Sequence, residues 1–190
     1  MSTAVNFLDS QELLHLALLA SRESRHDAAI TLLKQGLGQS PEDAKLLFLL
    51  GAEHAQIGLY DRAIEEIGRS VSLDASVPAA HFELGLLYVM QGDGALAKRA
   101  WEPLAKLVEA DPYRVFAGGL MRLVDEDLGG CIEELRRGMG LCAGNSALAG
   151  SMQRILDSAL ARQVQGAATP EVKAAAEDNS HVFLSAYRTH

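Results

Sequence analysis

The sequence predicts an all-α chain built from stacked, antiparallel helix pairs. Three observations predict it. Leu50-Gly51 returns thirty-four residues later as Leu84-Gly85, and Gly58, Ala63 and Ile67 return at the same interval as Gly92, Ala97 and Trp101. Helix-start signals stand ahead of apolar stretches of helical period. No stretch reads as a strand. A period of this size, kept without insertion, marks helix–turn–helix units that bury their apolar faces on their neighbours.

After a short lead over residues 1–9, the frame gives four units: 10–43, 44–77, 78–111 and 112–145. The first opens on Asp9-Ser10-Gln11-Glu12, the spacing of a capping box. Ser40-Pro41-Glu42-Asp43 orders a cap, a proline and two acids before the second, and Asp111-Pro112 does the same for the fourth. Gly58 and Gly92 fall where the first helix of a unit must stop. Gly51, Ala63, Gly85 and Ala97 are small enough to let the two helices of a unit approach closely. In the fourth unit Gly118 stands where a large apolar residue is expected. Beyond the units, Leu148, Met152, Ile155, Leu156 and Leu160 form one helical stripe. That predicts a helix over 146–162 covering the open end of the array. A small, polar linker follows over 163–180, then an apolar tail over 181–190 containing Val182, Phe183 and Tyr187.

These repeats resemble the tetratricopeptide repeat family, whose pattern runs W-x2-L-G-x2-Y…A-x3-F…P. The third unit matches best, with His81, Leu84, Gly85, Tyr88, Ala97 and Trp101. The second offers Leu47, Leu50, Gly51, His54, Ala63, Ile67 and Ala75; the first, Leu13, Leu16, Ala17, Ala20, Ala29, Leu33 and Pro41. The fourth is weakest, with Val115, Gly118, Gly119, Arg122, Cys131 and Leu135. The resemblance implies a right-handed superhelix whose concave face is lined by the first helix of each unit. The lining positions would be the second, fifth, ninth and twelfth of each unit, which share one side of a helix.

Thirteen of those sixteen positions are apolar or aromatic. They include Leu14, Leu18, Phe48, Phe82, Leu86, Val89, Tyr113, Phe116, Leu120 and Leu123. Left open to water they would present about 500 Å² of apolar surface, as much as the largest patch on a typical monomer. That suits an apolar peptide or helix as partner. The alternative is that the stripe is interior packing of the array. The basic clamp with which some family members hold acidic tails is missing, since its places carry Leu14, Leu18, Leu49, Ala79 and Glu83. In size, charge and apolar groove the chain is similar in type to the cytoplasmic chaperones of bacterial type III secretion translocators.

Composition narrows the partner. Seventeen basic against twenty-five acidic residues leave a net charge of −8, which repels nucleic acid and anionic lipid. No apolar stretch is long enough to span a bilayer. The start carries no basic lead before Asp9, so export is not expected. Cys131 and Cys142 sit ~16 Å apart on a helix, too far to bridge, and read as the reduced thiols of a cytoplasm.

No catalytic, metal or cofactor site is expected. His15, His26, His54, His81, His181 and His190 show no metal-ligand spacing. His54 and His81 take places of large core residues, and Cys131 a place for a small buried one. Cys142, at a helix end, is expected nearer the surface. The acid clusters Glu65-Glu66, Asp125-Glu126-Asp127 and Glu133-Glu134 read as solvated faces and helix-start charges. The expectation is therefore a non-enzymatic adaptor or chaperone. It would hold an apolar segment of a protein partner, and Phe183 and Tyr187 of its own tail are candidates to plug the same groove. The alternatives are a tail that packs on the capping helix, a swapped homodimer, or an assembly subunit that uses its convex face.

Overall fold

A computed structural model describes residues 8–142 and 144–165. Among them are nine α-helices and one 3-10 turn, and no strand. The helices are α1 (Ser10–Arg22), α2 (His26–Gln39), α3 (Ala44–Gln56), α4 (Tyr60–Leu73), α5 (Pro78–Met90), α6 (Gly94–Trp101), α7 (Pro112–Val124), α8 (Leu128–Met139) and α9 (Ser146–Gln165). First helices thus begin at residues 10, 44, 78, 112 and 146, and second helices at 26, 60, 94 and 128. Both series keep the thirty-four-residue step without a slip. Residues 163–165, expected in the linker, belong to α9; the rest of that linker and the tail lie outside the described residues.

The starts of α1, α3, α6, α7 and α8 follow side chains that accept their free N–H groups, whereas α2, α4 and α5 start without such a bond. Asp9 accepts from the Gln11 and Glu12 amides, both at 2.8 Å, and Glu12 returns the bond from the Asp9 amide at 2.9 Å. Asp111 caps α7 ahead of Pro112 in the same way. One start differs from the sequence reading. Asp43, not Ser40, caps α3, accepting from Lys45 and Leu46 at 2.9 and 3.0 Å. Pro41 therefore lies in the connecting turn, outside the helix. A second difference falls after Trp101, where Pro103 has no N–H to continue α6 and the chain tightens into a 3-10 turn over Glu102–Lys106.

The ends of α1, α3, α5 and α7 are alike. Ser24, Gly58, Gly92 and Glu126, again thirty-four apart, each take a positive φ of 57°, 78°, 82° and 63°. The next residue returns an N–H to the carbonyl five back: Arg25 to Ala20, Leu59 to His54, Asp93 to Tyr88 and Asp127 to Arg122, at 2.8–2.9 Å. These are Schellman ends, and glycine is the residue that adopts them without strain.

The chain forms two compact units, Met1–Asp74 and Ala75–His190, where the sequence suggested one array. In the first, α1 packs on α2, α2 on α3 and α3 on α4. Its core holds Leu13, Ala17, Ala29, Leu33, Leu46, Leu47, Phe48, Ala63 and Ile67. In the second, α5 packs on α6 and α7, α7 on α8, and α8 on α9. Trp101, Phe82, Phe116, Leu135, Leu148 and Met152 centre its core. Close approach is built on the small residues the repeat supplied. A Cβ on Gly51 would stand 2.6 Å from Ile67 Cγ1, and one on Gly85 only 2.0 Å from Trp101 Nε1.

Candidate functional site

The ten groove positions divide by exposure. On α1, Leu14 and Leu18 are half-buried. On α3, Phe48 is 1% exposed, and every residue from Leu46 to Ala55 is buried. On α5, Phe82 and Leu86 are buried, with every residue from Ala79 to Leu87, while Val89 is half-buried. On α7, Phe116, Leu120 and Leu123 are buried and Tyr113 is half-buried.

This corrects the expectation of an open apolar wall. Phe48, Phe82, Leu86, Phe116, Leu120 and Leu123 are core side chains. In the second unit the reason is visible. The Trp101 indole lies against Phe82, with ring centroids 6.4 Å apart, and its Nε1–H donates to the Phe82 carbonyl at 2.9 Å. Leu148, Met152, Ile155 and Leu156 of α9 join the same cluster as Phe116 and Leu120. A helix apolar on all sides is an interior helix, and α5 is one.

The second unit has a narrow cleft lined by Leu86, Val89, Trp101, Leu120, Leu123, Val124 and Ile155. Four of these, Leu86, Val89, Leu120 and Leu123, are among the ten expected positions. Val89 and Val124 are its half-buried members. As it stands the cleft admits little more than a water-sized guest. No lining residue ionises, so the cleft offers packing and no acid–base chemistry.

Three histidines inside the fold have structural partners. His26 Nδ1 meets Glu53 Oε2 at 2.8 Å, and His54 Nδ1 meets Glu66 Oε2 at 2.5 Å, joining α2 to α3 and α3 to α4. Burial raises the Glu66 carboxyl, although His54 pulls it back. His81 places its two ring nitrogens 3.2 and 3.1 Å from the Ala100 and Ala75 carbonyls. Among the described residues no three His, Cys, Asp or Glu side chains gather as metal ligands. Cys131 is fully buried and its thiol is pushed up to about 11 by desolvation. Cys142, expected nearer the surface, is 7% exposed, and burial raises its thiol too.

The burial of two carboxylates escaped the sequence reading, Glu53 on α3 and Glu83 on α5. Glu83 on α5 is 2% exposed, and its Oε2 meets no hydrogen-bond donor. Desolvation holds its carboxyl well above the usual carboxylate range. Tyr113, whose ring meets Phe82 edge-on at 5.5 Å, is raised by burial and then by the Glu83 charge. Only the position's neighbours, Phe82 and Leu84, hinted that a charge would be interior.

Comparison with known proteins fits this architecture. No family model matches the chain. Over 86 residues it is 30% identical to the BBSome complex member BBS4 of Bos taurus, a stretch that is 45% of this chain and 17% of that protein. The chain therefore spans less than a fifth of that relative. Among solved structures it is similar to MamA 41-end from Desulfovibrio magneticus, with a TM-score of 0.60 and 19% identity over 82% of this chain and 92% of that one. It is also similar to a tetratricopeptide repeat protein from Parabacteroides merdae, with a TM-score of 0.68 and 11% identity over 86% and 63%. A chain of the APC/C hetero-tetramer Cut9-Hcn1 gives 0.73 and 16% over 90% and 32%. None of the described helices is long and apolar enough to cross a membrane. The chain has the fold of the tetratricopeptide repeat family, an all-α solenoid of helix pairs.

Proposed function

We propose that the chain is a non-enzymatic interaction module, an adaptor or chaperone of the cytoplasm, that holds an apolar segment of a protein partner at the cleft of its second unit. The observation that supports this reading is the cleft's lining, which is apolar throughout and keeps two half-buried valines at its edge. Such a place favours an aliphatic or aromatic side chain and gives a charged one no compensation. The free, buried thiols of Cys131 and Cys142 accord with a reducing compartment.

The test is a photo-reactive phenylalanine analogue placed at Val89, compared with one at exposed Arg99 on α6, in the cell that makes the protein. A crosslink to one defined partner segment from position 89 alone is the expected result. Equal crosslinking from both positions, or from 99 alone, would reject the cleft as the holding site.

A second reading, assembly of copies, draws on the first unit. Leu8, Leu16 and Leu19 are 38–41% exposed, and the latter two share the outer face of α1. Leu16→Glu with Leu19→Glu would then lower the mass measured by light scattering, and an unchanged mass would dismiss it.

A further inference from the structure

We infer that the seam between α5 and α7 is a proton-operated latch, closed while Glu83 carries a proton and loosened when Glu83 releases it to water. Glu83 is 2% exposed, its Oε2 meets no donor, and among the described residues no cation stands near enough to offset its charge. An ionised carboxylate so placed is costly and nothing around it compensates, so the closed fold holds the neutral acid. The group that faces it from α7 is Tyr113, whose ring packs edge-on against Phe82 and whose phenol feels the Glu83 charge. Other charges on the elements packed against α5 are engaged elsewhere or stand in water. Lys98 of α6 pairs with Asp125, Arg114 of α7 donates to the Leu107 carbonyl at 2.6 Å, and Arg122 pairs with Asp127. Arg99, Glu102 and Lys106 are exposed. His81, on α5 itself, is taken by two carbonyls.

Ionisation is relieved only where water reaches the carboxylate, which requires α5 and α7 to part. Opened to water, Glu83 has the ordinary glutamate value of about 4.3; enclosed, burial holds it well above that. Between the two values the open form binds fewer protons, so each pH unit gained shifts the balance about tenfold toward opening. Below the ordinary value both forms are neutral and the shift vanishes. The same two helices wall the cleft: Leu86 stands one turn beyond Glu83 on α5, and Leu120 two turns beyond Tyr113 on α7. Loosening the seam parts two of the cleft's walls, so the proton controls when a guest is admitted. That bearing on function rests on the holding reading, whereas the test of the latch needs no partner, so the two can fail separately.

The experiment is hydrogen exchange followed by mass spectrometry on the full chain and on Glu83→Gln, compared at matched pH so that the intrinsic chemistry of exchange cancels. Amides of α5 and α7 are expected to exchange faster in wild type than in the variant, by a ratio that climbs up to about tenfold per pH unit. Peptides of α1 and α2, in the first unit, should keep a constant ratio. A flat ratio in α5 and α7 overturns the latch. So does an equal climb in α8 and α9, which would be unfolding of the whole second unit. Where the glutamine amide itself upsets the core, Glu83→Leu takes its place with the same expectation. Tyr113→Phe keeps the carboxyl and loses the phenol, and the climb should persist in it. A flat ratio there would transfer the control to Tyr113 and overturn the assignment to Glu83.

Discussion

Glu83 sits where a leucine would be unremarkable, between Phe82 and Leu84 in a run of α5, Ala79 to Leu87, that is buried throughout. Its unpartnered oxygen costs stability, since a buried acceptor without a donor forfeits about 1–3 kcal/mol. Because burial raises its carboxyl, the folded chain keeps the proton that the unfolded chain releases. Its contribution is therefore fully present below the ordinary glutamate value of about 4.3, and fades as pH rises through the folded-state value. Melting temperatures of wild type and Glu83→Gln between pH 4 and 8 should diverge, the variant gaining by several degrees toward pH 8. Parallel curves would mean that Glu83 ionises freely in the fold. Gly85 makes the opposite kind of demand. Its missing Cβ leaves room for the Trp101 indole, so Gly85→Ala should cost about 1–3 kcal/mol by overpacking, seen as a fall in melting temperature. That role was readable beforehand, since a small residue recurs at Gly51 and Gly85 opposite Ile67 and Trp101. Glu83 was not, because a repeat pattern records which positions are apolar and says nothing of a lone charge among them.

At the scale of the element, helix starts recur every thirty-four residues, and several boundaries carry their own local chemistry. Asp9, Asp111 and the paired Gly58 and Gly92 would set those ends in any fold. Where two signals stood side by side, as with Ser40 and Asp43, geometry alone decides which oxygen faces the free amides. The same ends show where the sequence falls short of its own repeat. Ser24 and Glu126 occupy the positive-φ place that Gly58 and Gly92 fill elsewhere, and a side chain there is strained by about 1–2 kcal/mol. Ser24→Gly and Glu126→Gly should each stabilise the chain by about 0.5–1 kcal/mol, once glycine's greater unfolded freedom is subtracted. Chemical denaturation with an unchanged m-value would register it as a higher midpoint. A lower midpoint for both would show that these turns relax out of the left-handed region.

Across the whole chain, the fold was far more readable than the site. An apolar stripe at helical spacing tells which side of a helix avoids water, whether what covers it is another helix or a partner. Phe116 and Val89 carried the same sequence signal and have different surroundings. Phe116 is fully buried, its ring occupying the space that a Cβ on Gly138 would enter at 2.4 Å, while Val89 is half-buried at the edge of the cleft. The two substitutions therefore separate core from site. Phe116→Glu places an unpaired charge in the second unit's interior and forfeits a large side chain. It should cost at least 3–5 kcal/mol, with loss of helicity and a red shift of Trp101, the chain's one tryptophan. Val89→Glu can turn its carboxylate to water and should cost no more than about 1 kcal/mol, with helicity kept. Circular dichroism and Trp101 emission on the two variants decide the matter. If Phe116→Glu stayed folded, its ring would face solvent, and the wide apolar lining first read from the repeats would have to be restored. If it unfolds and Val89→Glu does not, Phe116 belongs to the core and position 89 to the surface of the second unit.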